Sequence, residues 1–328
     1  QRHNIMKINC QFSEVVSVEN LLDAWEEFLR GKRNKLDVQD FRMALMDHLF
    51  KLHQDLVTKS YRHEGYHAFK IQDPKPRDIH KASVRDRLVH HAIYRVLYTA
   101  FDKRFIANSY SCRMGKGTHR AMNRFRAVAF EVSQNHTRTC WVLKLDIRKF
   151  FASIDHVILK EILTRSLVDE DLLWLTNEII DSFHSVHPGV GLPLGNLTSQ
   201  LFVNIYMNEF DQFVKHRLRF KHYIRYADDF VLLSQDRQEL EDMLSVITKF
   251  LDQELHLTIH PNKTELRTFA SGVDFLGWVH FPDHRVLRTK TKRRMYDRLA
   301  EHPSSETLQA YLGLLSHGNA REIIDAIR

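Results

Sequence analysis

An α+β fold is predicted by three features of this 328-residue chain. Its N-terminal part repeats apolar side chains at helical spacing, as in Leu21, Leu22, Trp25 and Phe28. An apolar run of strand type, from Cys140 to Leu145, ends at the single carboxylate Asp146. Two adjacent carboxylates, Asp228 and Asp229, sit between an apolar approach (Tyr223, Ile224, Tyr226) and an apolar exit (Phe230 to Leu233). That last pattern predicts a tight hairpin with buried strands and a charged turn.

The elements follow in order. Helical periodicity covers residues 18–30 and about 38–58, the latter through Phe41, Leu45, Leu49, Leu52 and Leu56. Between them Arg30 to Lys35 is a basic loop, able to touch RNA or to lie solvated. A short hairpin is predicted over 66–80, then helices at about 83–101 and 118–133, the Asp146 strand, and helices near 154–166 and 169–184. A helix over 197–217 has Leu201, Phe202, Ile205, Tyr206 and Phe210 on its buried side. Residues 236–254 are helical again, short strands run to about 287, and a helix carries Leu308, Tyr311, Leu312, Leu314 and Leu315. No repeat, low-complexity tract or Pro/Gly-rich linker interrupts the chain, so one continuous body is expected.

The carboxylates carry the chemistry. An isolated Asp-Asp pair is ordinarily an acidic surface turn. Burying two like charges in an apolar hairpin is costly unless cations compensate them. Hard Mg²⁺ is the natural compensator, because it prefers carboxylate oxygens and keeps positions free for water and phosphate. A strand end carrying Asp146 beside the hairpin tip brings three carboxylates together, a cluster able to hold two ions about 4 Å apart for in-line phosphoryl transfer. Asp155 and Asp211 are decoys. Asp155 falls at a helix start, where an acidic side chain favours the positive helix end, and is read as structural.

Composition agrees with a polyanionic partner. Lys plus Arg total 48 against 41 Asp plus Glu, a formal charge of +7 with a pI near 9.2. Cys10, Cys112 and Cys140 are odd in number and lack metal-ligand spacing, as suits a reducing compartment. No apolar run reaches membrane-spanning length, and no signal-peptide core opens the chain. The triplets at Asn135, Asn196 and Asn262 match the glycosylation pattern, which means nothing in a chain that is not secreted. His63-Glu64-Gly65-Tyr66-His67 fits the zinc-protease pattern, but Gly65 and the alternation of Tyr66, Ala68 and Ile71 predict a turn entering a strand.

Taken with its neighbours, the sequence resembles the reverse transcriptases from about Pro74 to the C-terminus. Seven blocks occur in that family's order. They are Pro74-Lys75-Pro76-Arg77 with Ser83 to Arg87, Tyr110-Ser111-Cys112-Arg113 with Gly115 to Thr118, the Asp146 block, Gly191 to Gln200, the Asp228-Asp229 block, Leu257 to Thr264, and Phe275-Leu276-Gly277-Trp278. The resemblance implies a right-hand polymerase with fingers, a palm built on an antiparallel sheet, and a small helical thumb. Its expected domains are 1–140 for N-terminal helices and fingers, 141–280 for the palm, with 185–200 as a nucleotide-pocket segment, and 281–328 for the thumb. It implies RNA-templated DNA synthesis from dNTP substrates with two Mg²⁺ ions, Mn²⁺ being able to replace them. Asp146, Asp228 and Asp229 are then catalytic, and Ile147 joins them in the metal set.

One block departs from the common pattern. Leu194 stands where most relatives carry Gln before Gly195, and Ser199-Gln200 stands where Ser-Pro is usual. That form resembles the reverse transcriptases of diversity-generating retroelements, which copy a template RNA with errors at adenines. An aliphatic Leu194 offers the incoming base no hydrogen bond, so a mispaired base loses less relative to the correct one; packing alone is its bland role. The same resemblance implies a template RNA, an RNA–cDNA hybrid, a small basic accessory protein oligomer, no membrane, and a cytoplasmic setting in a bacterium, archaeon or phage. Retron-type or defence-associated enzymes, a palm-fold cyclase and a silent RNA-binding palm are the rivals.

Further roles follow from the resemblance. Lys75 and Arg77 are expected at the incoming triphosphate, with Arg85 and Arg87 close behind. Phe151 is the gate that excludes a 2′-hydroxyl, while Phe150 is core. Gly195, Gln200 and Lys263 complete the nucleotide set. Arg285, Arg288, Lys290, Lys292, Arg293, Arg294 and Arg298 crowd a short stretch opposed only by Asp297, a density suited to the backbone of a template–primer duplex. Tyr311 to Asn319 resembles the family's thumb signature, and such a thumb holds a hybrid by shape.

Overall fold

A computed structural model describes residues 7–72 and 76–327. Four helices come first: α1 (Phe12–Val16), α2 (Val18–Phe28), α3 (Leu36–Met43) and α4 (Leu45–Val57). The hairpin β1 (Tyr66–Ile71) and β2 (Arg77–Ala82) follows, then α5 (Val84–Asp102), α6 (Thr118–Val132) and β3 (Trp141–Asp146). Next are α7 (His156–Ser166), α8 (Glu170–Asp181), α9 (Leu197–Gln212), β4 (Tyr223–Tyr226), β5 (Asp229–Ser234) and α10 (Arg237–Leu255). Short strands β6 (Glu265–Thr268), β7 (Val273–Phe275), β8 (Trp278–His280) and β9 (Arg285–Leu287) lead to α11 (Thr289–Glu301), α12 (Ser305–Leu315) and α13 (Arg321–Ile327).

Contacts divide the chain into two units, each assembled from several stretches of sequence: residues 1–106, 148–213 and 251–257 in the first, and 107–147, 214–250 and 258–328 in the second. The missing linker pointed instead to a single body. The division gives no sequence signal because each unit is sewn from distant segments.

In the first unit, α2 packs on α5 and α5 on α9, with Leu21, Trp25, Phe28, Leu88 and Ile93 buried. The single helix expected over 38–58 is broken at Ala44 (φ −122°, ψ 40°), which separates α3 from α4. Asp155 caps α7 by accepting from the amides of Val157 (2.8 Å) and Ile158 (3.2 Å), the structural role its position predicts. The His63–His67 stretch is a turn entering β1, with Gly65 at φ 93°. His63 is enclosed in the core and stacks on His90, whereas His67 is exposed on the strand.

The second unit carries an antiparallel four-stranded sheet in the order β4-β5-β3-β6 and an antiparallel three-stranded sheet, β7-β8-β9. Helix α6 lays Ala121, Phe125, Val128 and Val132 against Val142, Ile224, Val231 and Leu233 of the larger sheet and Phe275 of the smaller. Helices α11 to α13 close over Trp278 and Leu287 through Met295, Leu315 and Ile324, with Ala320 just before α13. Gly318 lets this contact form, since a Cβ there would overlap the Trp278 ring. Helix α9 ends at Gln212 and passes into a π turn, Phe213–Arg217, rather than running straight to 217.

Candidate active site

The hairpin β4–β5 forms because apolar residues on both strands are buried while its two-residue turn, Ala227-Asp228, needs only a tight reversal. Ala227 takes the turn's positive φ, 54°. Across the next strand, Asp146 is the direct partner of Asp229 in the β3–β5 register. Directly opposed residues in an antiparallel pair stand about 4.5–5.5 Å apart at Cα, so the two carboxylates leave the same face of the sheet side by side. Asp228 is joined to this pair through its carbonyl, which accepts from the Ile147 amide at 3.3 Å. The three acidic residues are thus brought to one corner of one sheet.

Cations surround that corner. Lys263, held on the 3₁₀ turn Pro261–Lys263, donates from Nζ to Asp146 Oδ1 at 2.6 Å, and the His260 amide donates to the Asp146 carbonyl at 2.7 Å. Lys144, two residues before Asp146, shares its face of β3. Burial, followed by the negative charges of Asp228 and Asp146, pushes the Asp229 carboxyl up to about 6, against the opposing pull of Lys144 and Lys263.

Arg225 supports this corner, a role that sequence reading passed over. It is fully buried, one strand position before Tyr226, and its Nη1 donates to the Ala227 carbonyl at 3.1 Å while Nη2 donates to Ser109 Oγ at 3.1 Å. Its main chain is held by Asn108 and Tyr110 (2.9 and 3.0 Å). A buried guanidinium therefore braces the turn that carries Asp228. The signal was an arginine among strand residues that are otherwise apolar.

The donor chemistry of the corner fits a hard divalent cation. It offers three carboxylates, and Ile147 can add only its carbonyl. Among the described residues no three acidic, imidazole or thiol groups already close around a common point, and Lys263 holds one oxygen of Asp146. A cation bound through that oxygen would meet the Lys263 ammonium there. A carboxyl as reluctant to ionise as Asp229 gains by meeting a cation.

The first unit gathers part of the expected nucleotide set. Phe151 lies in the 3₁₀ turn Phe150–Ser153, against Phe150, which is core. The Phe151 carbonyl accepts from the Leu192 amide at 2.8 Å, and the Leu194 carbonyl accepts from the His80 amide of β2 at 3.0 Å. Gly195, at φ 110°, approaches Ile79 so closely that a Cβ would meet it at 2.9 Å. Gln200 is half-buried in the first turns of α9, and Arg77 is exposed at the start of β2. Arg87 is engaged with Asp37 at 2.6 Å and Arg85 with Asp55 at 3.0 Å. Lys75 lies outside the described residues.

The basic strip in the second unit is of two kinds. Lys290, Lys292, Arg293 and Arg298 are exposed on α11, and Arg294 is half-buried there. Arg285 is buried: alternation along β9 turns it inward, where it donates to Asn123 Oδ1 at 3.0 Å and to the His317 carbonyl. Arg288 donates to Asp274 at 3.0 Å.

A family model described as reverse transcriptase (RNA-dependent DNA polymerase) matches residues 70–280. The chain belongs to the reverse transcriptase family. It is 26% identical over 258 residues to the protein YkfC of Escherichia coli, covering 66% of this chain and 65% of that one. The group II intron-encoded protein LtrA of Lactococcus lactis is 21% identical over 297 residues, covering 69% of this chain and 47% of that one. The chain therefore spans 65% of the first relative's length and under half of the second's. The fold is similar to apo telomerase of Candida tropicalis, with a TM-score of 0.52 at 12% identity over 71% of this chain and 52% of that one. The architecture is accordingly that of a right-hand polymerase. Among the described residues no helix is long and apolar enough to cross a membrane.

Proposed function

We propose that this chain is an RNA-directed DNA polymerase that makes cDNA on a template RNA. The observation that carries the reading is the register of Asp146 against Asp229, with Asp228 in the adjoining turn. When bound, a pair of magnesium or manganese ions supplies activation of the 3′-hydroxyl and neutralisation of the leaving pyrophosphate. Asp146, Asp228, Asp229 and the Ile147 carbonyl would hold them, and Arg225 keeps the turn in place. Lys75 and Arg77 take the triphosphate, Phe151 excludes the 2′-hydroxyl, and Lys263 serves the nucleotide or primer end. Lys290, Lys292, Arg293 and Arg294 receive the hybrid backbone, and Arg285 and Arg288 shape the surface that presents them. In this reading residues 1–140 serve as N-terminal helices and fingers, 141–280 as palm with 185–200 in the nucleotide pocket, and 281–328 as thumb.

Within that activity we propose an adenine-infidelity type, as in a diversity-generating retroelement, assisted by a small basic accessory protein. Leu194 and Gln200 support it. A second reading, an accurate intron-type enzyme, is supported by the relative encoded in a group II intron. Primer extension on a defined RNA template with Mg²⁺, followed by sequencing of the cDNA, tests both levels. Errors concentrated opposite adenine support the first type, and a low uniform rate the second. Absence of extension on RNA, with Mg²⁺ or Mn²⁺, overturns the polymerase assignment.

A further inference from the structure

Asn196 stands at the N-cap of α9, where an asparagine oxygen ordinarily accepts from an amide of the first helical turn. Here it makes no capping bond. The side chain is 2% exposed and faces β2, where Nδ2 donates to the His80 carbonyl at 2.7 Å. Its Oδ1 is left buried with no hydrogen-bond partner. The orientation of the amide follows from chemistry, since a carbonyl acceptor demands the nitrogen. Forgoing a cap and leaving a buried oxygen unpaired both cost stability, and local rules are broken in this way chiefly where function requires it.

The Leu194 carbonyl meets the His80 amide at 3.0 Å, so one residue of β2 has both main-chain groups engaged by a single tripeptide. Strand β1 pairs the opposite edge, with Ala68 facing His80. A neighbouring strand would satisfy this outer edge with its own amide and carbonyl. In its place Gly195, at φ 110°, turns the chain, and the donor comes from the Asn196 side chain. Only a glycine permits the approach, because a Cβ would lie 2.9 Å from Ile79 Cγ2. At its other end the same segment is tied to Phe151 through Leu192 at 2.8 Å.

We propose that Asn196 is a positioning residue that clamps the segment 192–196 to the finger strand β2, so that Leu194, Phe151 and β2 hold one geometry for the incoming nucleotide. The consequence for nucleotide selection rests on the polymerase reading; the clamp itself does not. Loss of the clamp then weakens dNTP binding and alters selectivity more than it slows the chemical step.

Asn196→Ser is the discriminating variant. Serine is a good N-cap, so α9 is kept, but its hydroxyl is too short to reach His80. Hydrogen exchange on the full chain is expected to show the His80 amide losing about tenfold in protection while the melting temperature holds. In primer extension the KM for dNTP is expected to rise about tenfold with kcat within about threefold. Unchanged protection overturns the clamp, and changed protection with unchanged KM and error spectrum overturns its role in selection. If Asn196→Ser does not fold, Asn196→Asp decides: it keeps a capping oxygen and the side-chain shape but cannot donate to the His80 carbonyl at neutral pH, so the same loss of about tenfold in His80 protection is expected. Unchanged protection in that variant overturns the clamp. A wild-type chain that extends no primer refutes the polymerase reading, while hydrogen exchange still decides whether the clamp exists.

Discussion

Lys263 Nζ lies 2.6 Å from Asp146 Oδ1, although the two are 117 residues apart in sequence. The ammonium occupies one oxygen of a carboxylate in the proposed metal set, so a cation at that oxygen would compete with it. Lys263→Met is expected to tighten Mn²⁺ binding, read by electron paramagnetic resonance, by about three- to tenfold. Weaker binding in the variant would show that Lys263 supports the metal set rather than screening it.

The strip beyond β8 separates into surface and framework. Replacing Lys290, Lys292 and Arg293 together by alanine is expected to lower the salt dependence of hybrid binding by about 2 to 3 in log–log slope, with the melting temperature held. Arg285→Ala is expected to act the other way, costing about 2–3 kcal/mol in a urea titration because Asn123 and the His317 carbonyl lose their partner. A stable Arg285→Ala with weakened hybrid binding would reverse these roles.

Leu194 and Phe151 bear on selectivity. Leu194→Gln is expected to lower misincorporation opposite template adenine by about tenfold, measured by sequencing cDNA. Phe151→Ala is expected to raise ribonucleotide incorporation by about tenfold or more. An unchanged error spectrum, or unchanged sugar discrimination, would return each side chain to a packing role.

His280 gives the second unit an acid limit. It is fully enclosed in the core, and burial, reinforced by Arg285 and Arg126, pushes its imidazole down to about 4 despite a bond to the Phe275 carbonyl. An unfolded imidazole protonates near 6.5, so between pH 6.5 and 4 the unfolded chain binds more protons and stability falls as pH falls. The loss from this residue is about 2 kcal/mol at pH 5, and His280→Gln is expected to remove it from the urea titration. Equal slopes against pH in both proteins would contradict the burial account.

The two pieces of the acidic corner were legible in the sequence because each is local. Tyr226 to Asp229 is a hairpin turn between apolar strands, and Asp146 ends a strand, so short-range pattern sufficed. Long-range features were not legible. Arg285 and Arg288 read as part of a charge run, whereas strand alternation turns Arg285 inward and Arg288 finds Asp274. Arg225 sits among apolar strand residues, and only the fold shows its guanidinium meeting Ala227 and Ser109. Ala44 interrupts a pattern that periodicity alone carries through unbroken. Asn196 stands at an N-cap position but is drawn off by a strand 116 residues earlier. For Arg285, Arg288, Arg225 and Asn196, a tertiary partner overrides the local preference.

Asp229→Asn, compared with wild type in single-turnover primer extension on an RNA template, tests the acidic corner most directly. The substitution keeps the shape of the side chain and removes a carboxyl that burial makes hard to ionise, so the fold should be at least as stable at pH 7. Extension is expected to slow by about a thousandfold or more. A variant that folds and extends primers at the wild-type rate would contradict the assignment.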